Sequence, residues 1–394
     1  MIGISKLYCG TVEPSDVLRY QDGSQSIPSH LLQFSKDKKP VVVWNITRRC
    51  NLKCMHCYSQ SEDREYEEEL TTDECKKVID DLAEFEVPVI LFSGGEPLLR
   101  KDIVELASYA VEKGIRTVIS TNGTLITKAI AKKLKDVNVS YVGISIDGME
   151  IVNDNFRGVK GAFQNAINGI RICKKSGIKV GLRFTINKFN SKEIPDIFKL
   201  IVDAEIPRIC FYHLVYSGRG SELVDKDLSH KKTREIVDFI IDETKRLFDA
   251  GIQKEVLTVD NHTDGVYLYL RLMKENPKRA EEVYELLKYN GGNNSGIAIG
   301  SVDWIGDAHP DQFWTHYSLG NVKQRKFSDI WMDESNEVMK ILKNRNGCIK
   351  GRCGKCRYFE ICNGNLRVRA EAITGDIWES DPACYLTDEE IGIK

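Results

Sequence analysis

Apolar residues fall in short dense runs separated by amphipathic stretches along the first half of the chain. The runs VVVWNIT (41–47), VPVILFSGG (87–95), RTVISTNG (116–123), VSYVGISIDG (139–148), KVGLRFTIN (179–187) and RICFYHLVY (208–216) predict six strands. Their near-continuous apolarity means that both faces are covered. Helical periodicity predicts helices over 71–85, within 101–114, and near 127–135, 161–176, 191–204 and 231–250. In the first helix Cys75, Val78, Ile79, Leu82 and Phe85 share one face, so Cys75 reads as a core thiol. Thr71, with Glu74 three positions on, reads as its capping box.

Strands alternating with helices predict a parallel sheet covered by helices. No Gly-x-Gly-x-x-Gly turn follows the first strand, which argues against a dinucleotide fold. The expected fold is α/β, a partial (β/α)6 TIM-like barrel with a small C-terminal cysteine-rich auxiliary domain. Chemistry in such barrels sits at the C-terminal ends of strands. The polar ends SGGEP, STNG, SIDG and YHLVYSGRG all lie there. From about 252 the rhythm breaks into a helical piece (275–289), the turn-rich YNGGNNSG, a hairpin region and a cysteine-rich tail expected mostly in loops. The expected division is an N-terminal arm over 1–40 with the turn-forming QDGSQSIPSH, a barrel over 41–251, and the auxiliary domain over 252–394.

Charge removes several function classes. The chain has 394 residues with 56 Lys and Arg against 58 Asp and Glu, a net charge of -2. That balance offers no field for nucleic acid or a membrane surface. No run of 18 or more apolar residues occurs, and MIGISKLYCG lacks the core of a signal peptide. The expectation is a cytoplasmic protein with neither nucleic acid nor membrane as partner.

Twelve cysteines in a reducing compartment point to metal ligands or buried thiols rather than disulfides. They are unevenly placed. In NITRRCNLKCMHCYSQS three residues separate Cys50 from Cys54 and two separate Cys54 from Cys57. Three thiolates can hold three irons of a 4Fe–4S cubane and leave the fourth iron open to a reactant. The rival is a zinc loop completed by His56, which is poorly placed because it abuts Cys57. Gly94 and Gly95 of SGGEP allow close backbone approach, and Glu96 adds a carboxylate suited to an ammonium group. Near the other end, Cys353, Cys356, Cys362 and Cys384 offer four further ligands, with Cys348 as a spare or alternative. A four-cysteine zinc site is the alternative there. Cys173 and Cys210 read as core. Cys9 reads as a buried thiol, near the site only if the arm folds over the barrel.

The Cys50–Cys54–Cys57 spacing, His56 and GGEP resemble the radical S-adenosylmethionine (SAM) superfamily over roughly 41–216. The resemblance implies that SAM chelates the open iron and is cleaved reductively to methionine and a 5′-deoxyadenosyl radical. It implies that Gly94, Gly95 and Glu96 hold the methionine amine, that Ser145 and Asp147 lie near the ribose and carboxylate, and that Arg183 contacts the carboxylate or the substrate. The tail resembles SPASM and twitch regions, implying a second 4Fe–4S cluster on Cys353, Cys356, Cys362 and Cys384. Leu366 stands where a full SPASM domain has a further cysteine.

MIGISKLYCGTVEPSDVLRY, IPSHLLQFSKDKKPVVVWNITRRCNLKC and RVRAEAITGDIWESDPACYLTDEEIG are similar to the tetrapyrrole-processing, heme d1 biosynthesis-like subgroup. That implies removal of two acetate side chains from 12,18-didecarboxysiroheme to give iron-coproporphyrin III. It also implies an electron donor such as ferredoxin or flavodoxin. The alternatives are a sister enzyme (heme d1 side-chain removal or propionate decarboxylation), a peptide-modifying SPASM enzyme, and a non-catalytic iron–sulfur carrier. Arg157, Arg183 and Arg219 are candidate clamps for substrate carboxylates. His213 and His262, then His309 and His316, are candidate axial ligands to a substrate iron.

Overall fold

A computed structural model describes residues 1–12, 16 and 39–393. QDGSQSIPSH and most of the expected arm lie outside the described residues. Eleven strands form one sheet: β1 Ile2–Gly3, β2 Val41–Asn45, β3 Val89–Ser93, β4 Arg116–Thr121, β5 Tyr141–Ser145, β6 Val180–Ile186, β7 Arg208–His213, β8 Glu255–Val259, β9 Ile299–Val302, β10 Asp307–His309 and β11 Gly320–Asn321. Their spatial order is β1-β8-β7-β6-β5-β4-β3-β2-β9-β10-β11. The pairings from β2 through β8 are parallel, as is β2 with β9. The edges β1, β10 and β11 pair antiparallel.

Each of the six predicted strands is present, and helices cross between them. Helix Thr72–Glu84 starts with the predicted box: the Glu74 amide donates to Thr71 Oγ1 and the Glu74 carboxylate accepts from the Thr71 amide. Cys75 is buried in the core. Alternation along each strand separates two environments. Phe184 and Phe211 face outward, where Phe211 meets Phe198 of helix Ile194–Asp203 at 5.4 Å. Cys210 and Tyr212 face inward and pack with Leu257 and Val259.

Several expectations need correction. The parallel run does not stop at six strands: β8 and β9, both from beyond residue 251, extend it to eight. The charged flanks of the five-residue β8 and the length of the insertion before β9 hid them. The first residues are not an open arm either. Ile2 pairs with Thr258, and helix Ile4–Cys9 follows with Ile4 and Leu7 buried. Helix Glu150–Arg157, after SIDG, was not anticipated. Two helices, Thr263–Glu275 and Pro277–Asn290, replace the one expected piece. The tail is not mostly loop. Short helices Gly351–Lys355, Phe359–Cys362 and Arg367–Thr374 carry or flank its cysteines. Helices of four or five residues are too short to show a period.

Candidate active site

The loop after β2 that carries Cys50, Cys54 and Cys57 is held by parts of the chain far from it in sequence. The Lys53 and Met55 amides donate to the Arg157 and Phe156 carbonyls at the end of helix Glu150–Arg157. Arg219, after β7, donates Nε to the Cys54 carbonyl (2.9 Å) and Nη1 to the Ser61 carbonyl (3.1 Å). The Cys50 amide bonds the Glu62 carbonyl at 3.0 Å. Around the sulfurs stand the Asn122 amide (3.9 Å from Cys50 Sγ), Arg157 Nη1 (3.8 Å from Cys54 Sγ) and Ser59 Oγ (3.4 Å from Cys57 Sγ). Burial, with Glu96 and the neighbouring sulfurs adding to it, pushes the Cys50 thiol up to about 12. Burial pushes Cys54 up to about 11, against the pull of Arg157. Such thiols become good ligands when a bound cation displaces their protons. His56 stacks on Phe156 (4.7 Å between centroids), and burial lowers its pKa to about 4.

Gly94 and Gly95 serve the loop first. A Cβ on Gly94, at φ 125°, would lie 2.3 Å from the Thr47 carbonyl oxygen, and one on Gly95 would lie 2.1 Å from that of Arg49. The Gly95 and Glu96 amides donate to those same two carbonyls at 2.7 and 2.8 Å. We expect Gly95→Ala to push the cysteine loop away from β3 while sparing the barrel. Iron per chain and 5′-deoxyadenosine yield should both fall severalfold with an unchanged far-ultraviolet spectrum; full iron content would refute this. The Glu96 carboxylate is fully buried and accepts from Thr121 Oγ1 (2.7 Å) and the amides of Asn122 (2.7 Å) and Leu98 (3.1 Å). It fixes the turn that presents Asn122.

Asp147 is likewise committed. Its carboxylate is fully buried, pairs with Arg157 Nη2 and accepts from the Thr185 amide at 2.7 Å. Arg157 and Arg219 thus both hold the cysteine loop, and Asp147 is paired with Arg157. Ser145 ends β5 in register with Arg183 on β6. Arg183 faces the lumen, donates to Ser120 Oγ and lies 5.0 Å from the Tyr212 ring centre. Of the three arginines it alone keeps the place expected for a ligand contact. Tyr58, whose hydroxyl donates to Asn45 Oδ1 (2.9 Å), edges Phe313 at this mouth. Asp260 closes β8 in a left-handed turn (φ 64°), its carboxyl pushed up to about 6 by burial. Sequence reasoning missed Tyr58, Tyr212 and Asp260; inward alternation was the signal for Tyr212.

The histidines divide. His213 shares the outward face with Phe211, and its Nε2 lies 2.8 Å from Asp264 Oδ2, whose other oxygen accepts from Tyr385 (2.7 Å). Its ring is committed to that carboxylate on the helical side of β7. Asp264→Ala would leave the His213 and Tyr385 polar groups buried without partners, at about 1–3 kcal/mol each. The denaturation midpoint should fall accordingly; a shift within error would show that water replaces the carboxylate. His262 is buried at the N-terminus of helix Thr263–Glu275, its Nδ1 without a hydrogen-bond partner, and burial holds its pKa well below the usual value. His309 bonds the Tyr317 carbonyl and His316 pairs with Glu371.

The second cysteine group converges. Cys353, Cys356, Cys362 and Cys384 line one cavity together with Arg352 and Gly364. Burial and the other three sulfurs raise the Cys362 thiol well above its ordinary pKa. Cys348 is exposed and does not line the cavity. Cys9 sits in the first helix, Cys173 is buried in the helical core, and Cys210 faces the barrel interior.

A loop with three thiols above a parallel barrel, beside a glycine-glycine-carboxylate strand end, defines a radical SAM site. Residues 44–201 match the Radical SAM superfamily, and the chain belongs to it. It is an enzyme of the kind that uses SAM and a 4Fe–4S cluster. Within that class it is 64% identical to "Fe-coproporphyrin III synthase" of Methanosarcina barkeri, over 100% of this chain and 99% of that protein. It is 43% identical to "Pre-heme d1 synthase" of Dinoroseobacter shibae, over 90% of this chain and 88% of that protein. Among solved structures, Streptococcus suis SuiB bound to precursor peptide SuiA matches with a TM-score of 0.70 at 18% identity, over 91% of this chain and 79% of that chain. That likeness supports the fold alone.

Proposed function

We infer that this chain is the radical SAM enzyme of heme biosynthesis that removes two acetate side chains from 12,18-didecarboxysiroheme to give iron-coproporphyrin III. The observation that carries this is the 64% identity along the whole chain to a protein named for that product. Cys50, Cys54 and Cys57 hold the first cluster, with the amide of Asn122 and the guanidinium of Arg157 beside their sulfurs. The backbone of Gly94 to Glu96 receives the methionine amine, with the Glu96 side chain as support. Ser145 and Arg183 face the rest of SAM, or the substrate carboxylates in the case of Arg183. Asp147 stays a buried partner of Arg157. Bound SAM and cluster supply a hydrogen-atom abstractor, which side-chain acids and bases cannot provide.

A second 4Fe–4S cluster occupies the C-terminal cavity, held by Cys353, Cys356, Cys362 and Cys384; the shared cavity of these four thiols favours it. An external donor such as ferredoxin or flavodoxin supplies electrons, and the reduced thiols fit a cytoplasmic location. Residues 41–251 carry the SAM chemistry and 252–394 the second cluster, although β8 and β9 complete the sheet from the latter.

The test is anaerobic incubation of reconstituted protein with didecarboxysiroheme, SAM and reductant, followed by mass analysis. Loss of two acetate units is expected. No change there, with turnover of iron-coproporphyrin III to heme instead, would overturn the assignment.

A further inference from the structure

Two buried guanidinium groups near the C-terminal cavity have no carboxylate bonded to them among the described residues. Arg367 is buried at 1% exposure. Its terminal nitrogens donate only to backbone carbonyls, those of Ile377, Glu379 and Gly364, and its Nε has no partner. Arg345, 2% exposed, donates to the carbonyls of Leu342, Asn363 and Ser295 and to Asn293 Oδ1. The Asn293 amide in turn bonds the Cys362 carbonyl at 3.1 Å, so Arg345 is linked through Asn293 to the Cys362 backbone. Gly364, whose carbonyl accepts from Arg367, lines the cavity with the cysteines.

Of the other charges here, Arg357 is exposed to solvent and donates to the Glu390 carbonyl. Arg369 takes both oxygens of Asp381, and Arg352 pairs with Asp388. Asp311, which acts on Arg345 from beyond hydrogen-bond contact, accepts from Ser295 Oγ and the Phe313 amide. A buried guanidinium cannot shed its proton at ordinary pH, so hydrogen bonds and opposite charge together must offset its desolvation. The negative groups acting on Arg367 are Cys353, then Asp381 and Cys362, and those acting on Arg345 are Asp311, then Cys362; Asp381 is already paired with Arg369 and Asp311 is held by Ser295 and Phe313, which leaves the cysteinates without a cation of their own. Four cysteinates on a 4Fe–4S core leave a net negative group, and one-electron reduction adds another negative charge. Fixed positive charge close by favours the reduced form.

We propose that Arg367, backed by Arg345, is the fixed counter-charge of the C-terminal cluster and raises its reduction potential. Through that cluster it acts as a positioning residue for charge, without touching substrate. The inference rests on the second-cluster reading above.

The test is a redox titration of the anaerobically reconstituted full chain, followed by electron paramagnetic resonance, with iron counted on the same samples. The signal that SAM leaves unchanged belongs to the C-terminal cluster. R367M should titrate at a lower potential than the parent, and R367K, which keeps the charge and loses the carbonyl fork, should restore most of the difference. R345Q should shift in the same direction. If R367M does not fold, R345Q carries the comparison. Variants that fold but lose the second cluster with the charge, while R367K retains it, also support the proposal. An unmoved potential at full iron content overturns it and leaves the cluster assignment standing, as does R367K failing together with R367M. About four irons in the parent, with no second signal, overturns the cluster reading itself and the proposal with it.

Discussion

Replacing Arg369 by methionine is expected to cost about 3–5 kcal/mol of folding stability, because it strands a buried carboxylate. Arg369 and Asp381 are both fully buried and form a two-pronged pair with both contacts at 2.9 Å. The same guanidinium donates to the Leu214 carbonyl beyond β7 (3.0 Å) and the Asp260 carbonyl beyond β8 (2.9 Å). Asp381 also accepts from the amides of Leu366 (2.9 Å) and Ala383 (2.9 Å), the latter next to Cys384. One ion pair thus ties the cysteine-bearing tail to the mouth of the barrel. Equilibrium denaturation of R369M against the parent measures the cost, and D381L should show a loss of similar size. The double variant should recover part of it, since a buried pair exchanged for apolar groups removes both desolvation penalties. Recovery will stay incomplete, because the Leu366 and Ala383 amides lose their acceptor. A single-variant loss below about 1 kcal/mol would mean that the tail docks by apolar contact alone.

How far the molecule could be read from its residues follows element length. The six strand–helix units were legible because each strand is a dense apolar run and each helix spans several turns with one apolar face. The unit at Thr71 even announced its capping box. The two-residue β1, the five-residue β8 and the four-residue helix Phe359–Cys362 offer no such run. They are fixed by what they pair with, and β8 is placed by its register with β7, from Arg208↔Glu255 onward.

The site shows the same limit in chemical form. Cysteine spacing pointed to the proposed ligands, since a loop that binds several irons constrains its own sequence. The functions of Asp147, Arg157 and Arg219 were not legible. An acid at a strand end reads alike whether it meets a ligand or an arginine ten residues away, and Arg219 reaches its partner Cys54 across 165 positions. His213 is different, because its position was available. In RICFYH the outward Phe211 and inward Tyr212 already assign His213 to the helical side.

Replacing Cys50, Cys54 and Cys57 together by alanine is expected to abolish SAM cleavage while leaving the fold intact. The loop is pinned chiefly through its backbone: Arg219 holds the Cys54 and Ser61 carbonyls, helix Glu150–Arg157 holds the Lys53 and Met55 amides, and Glu62 holds the Cys50 amide. Metal binding there fills a preformed cradle, so its loss removes chemistry rather than structure. On the two-cluster reading proposed above, iron should fall from about eight to about four per chain. 5′-Deoxyadenosine formation should drop below detection, with the melting temperature within a few degrees of the parent. The converse replacement of Cys353, Cys356, Cys362 and Cys384 should behave differently. Those residues sit on or beside helices of five and four residues, Gly351–Lys355 and Phe359–Cys362, too short to be stable by themselves. On the proposed second-cluster reading, binding of the group there is part of folding. Limited proteolysis should cut the second variant within 345–385 at a protease level that leaves the first uncut. Equal resistance of the two would show that the tail, like the first loop, is built before its cluster arrives.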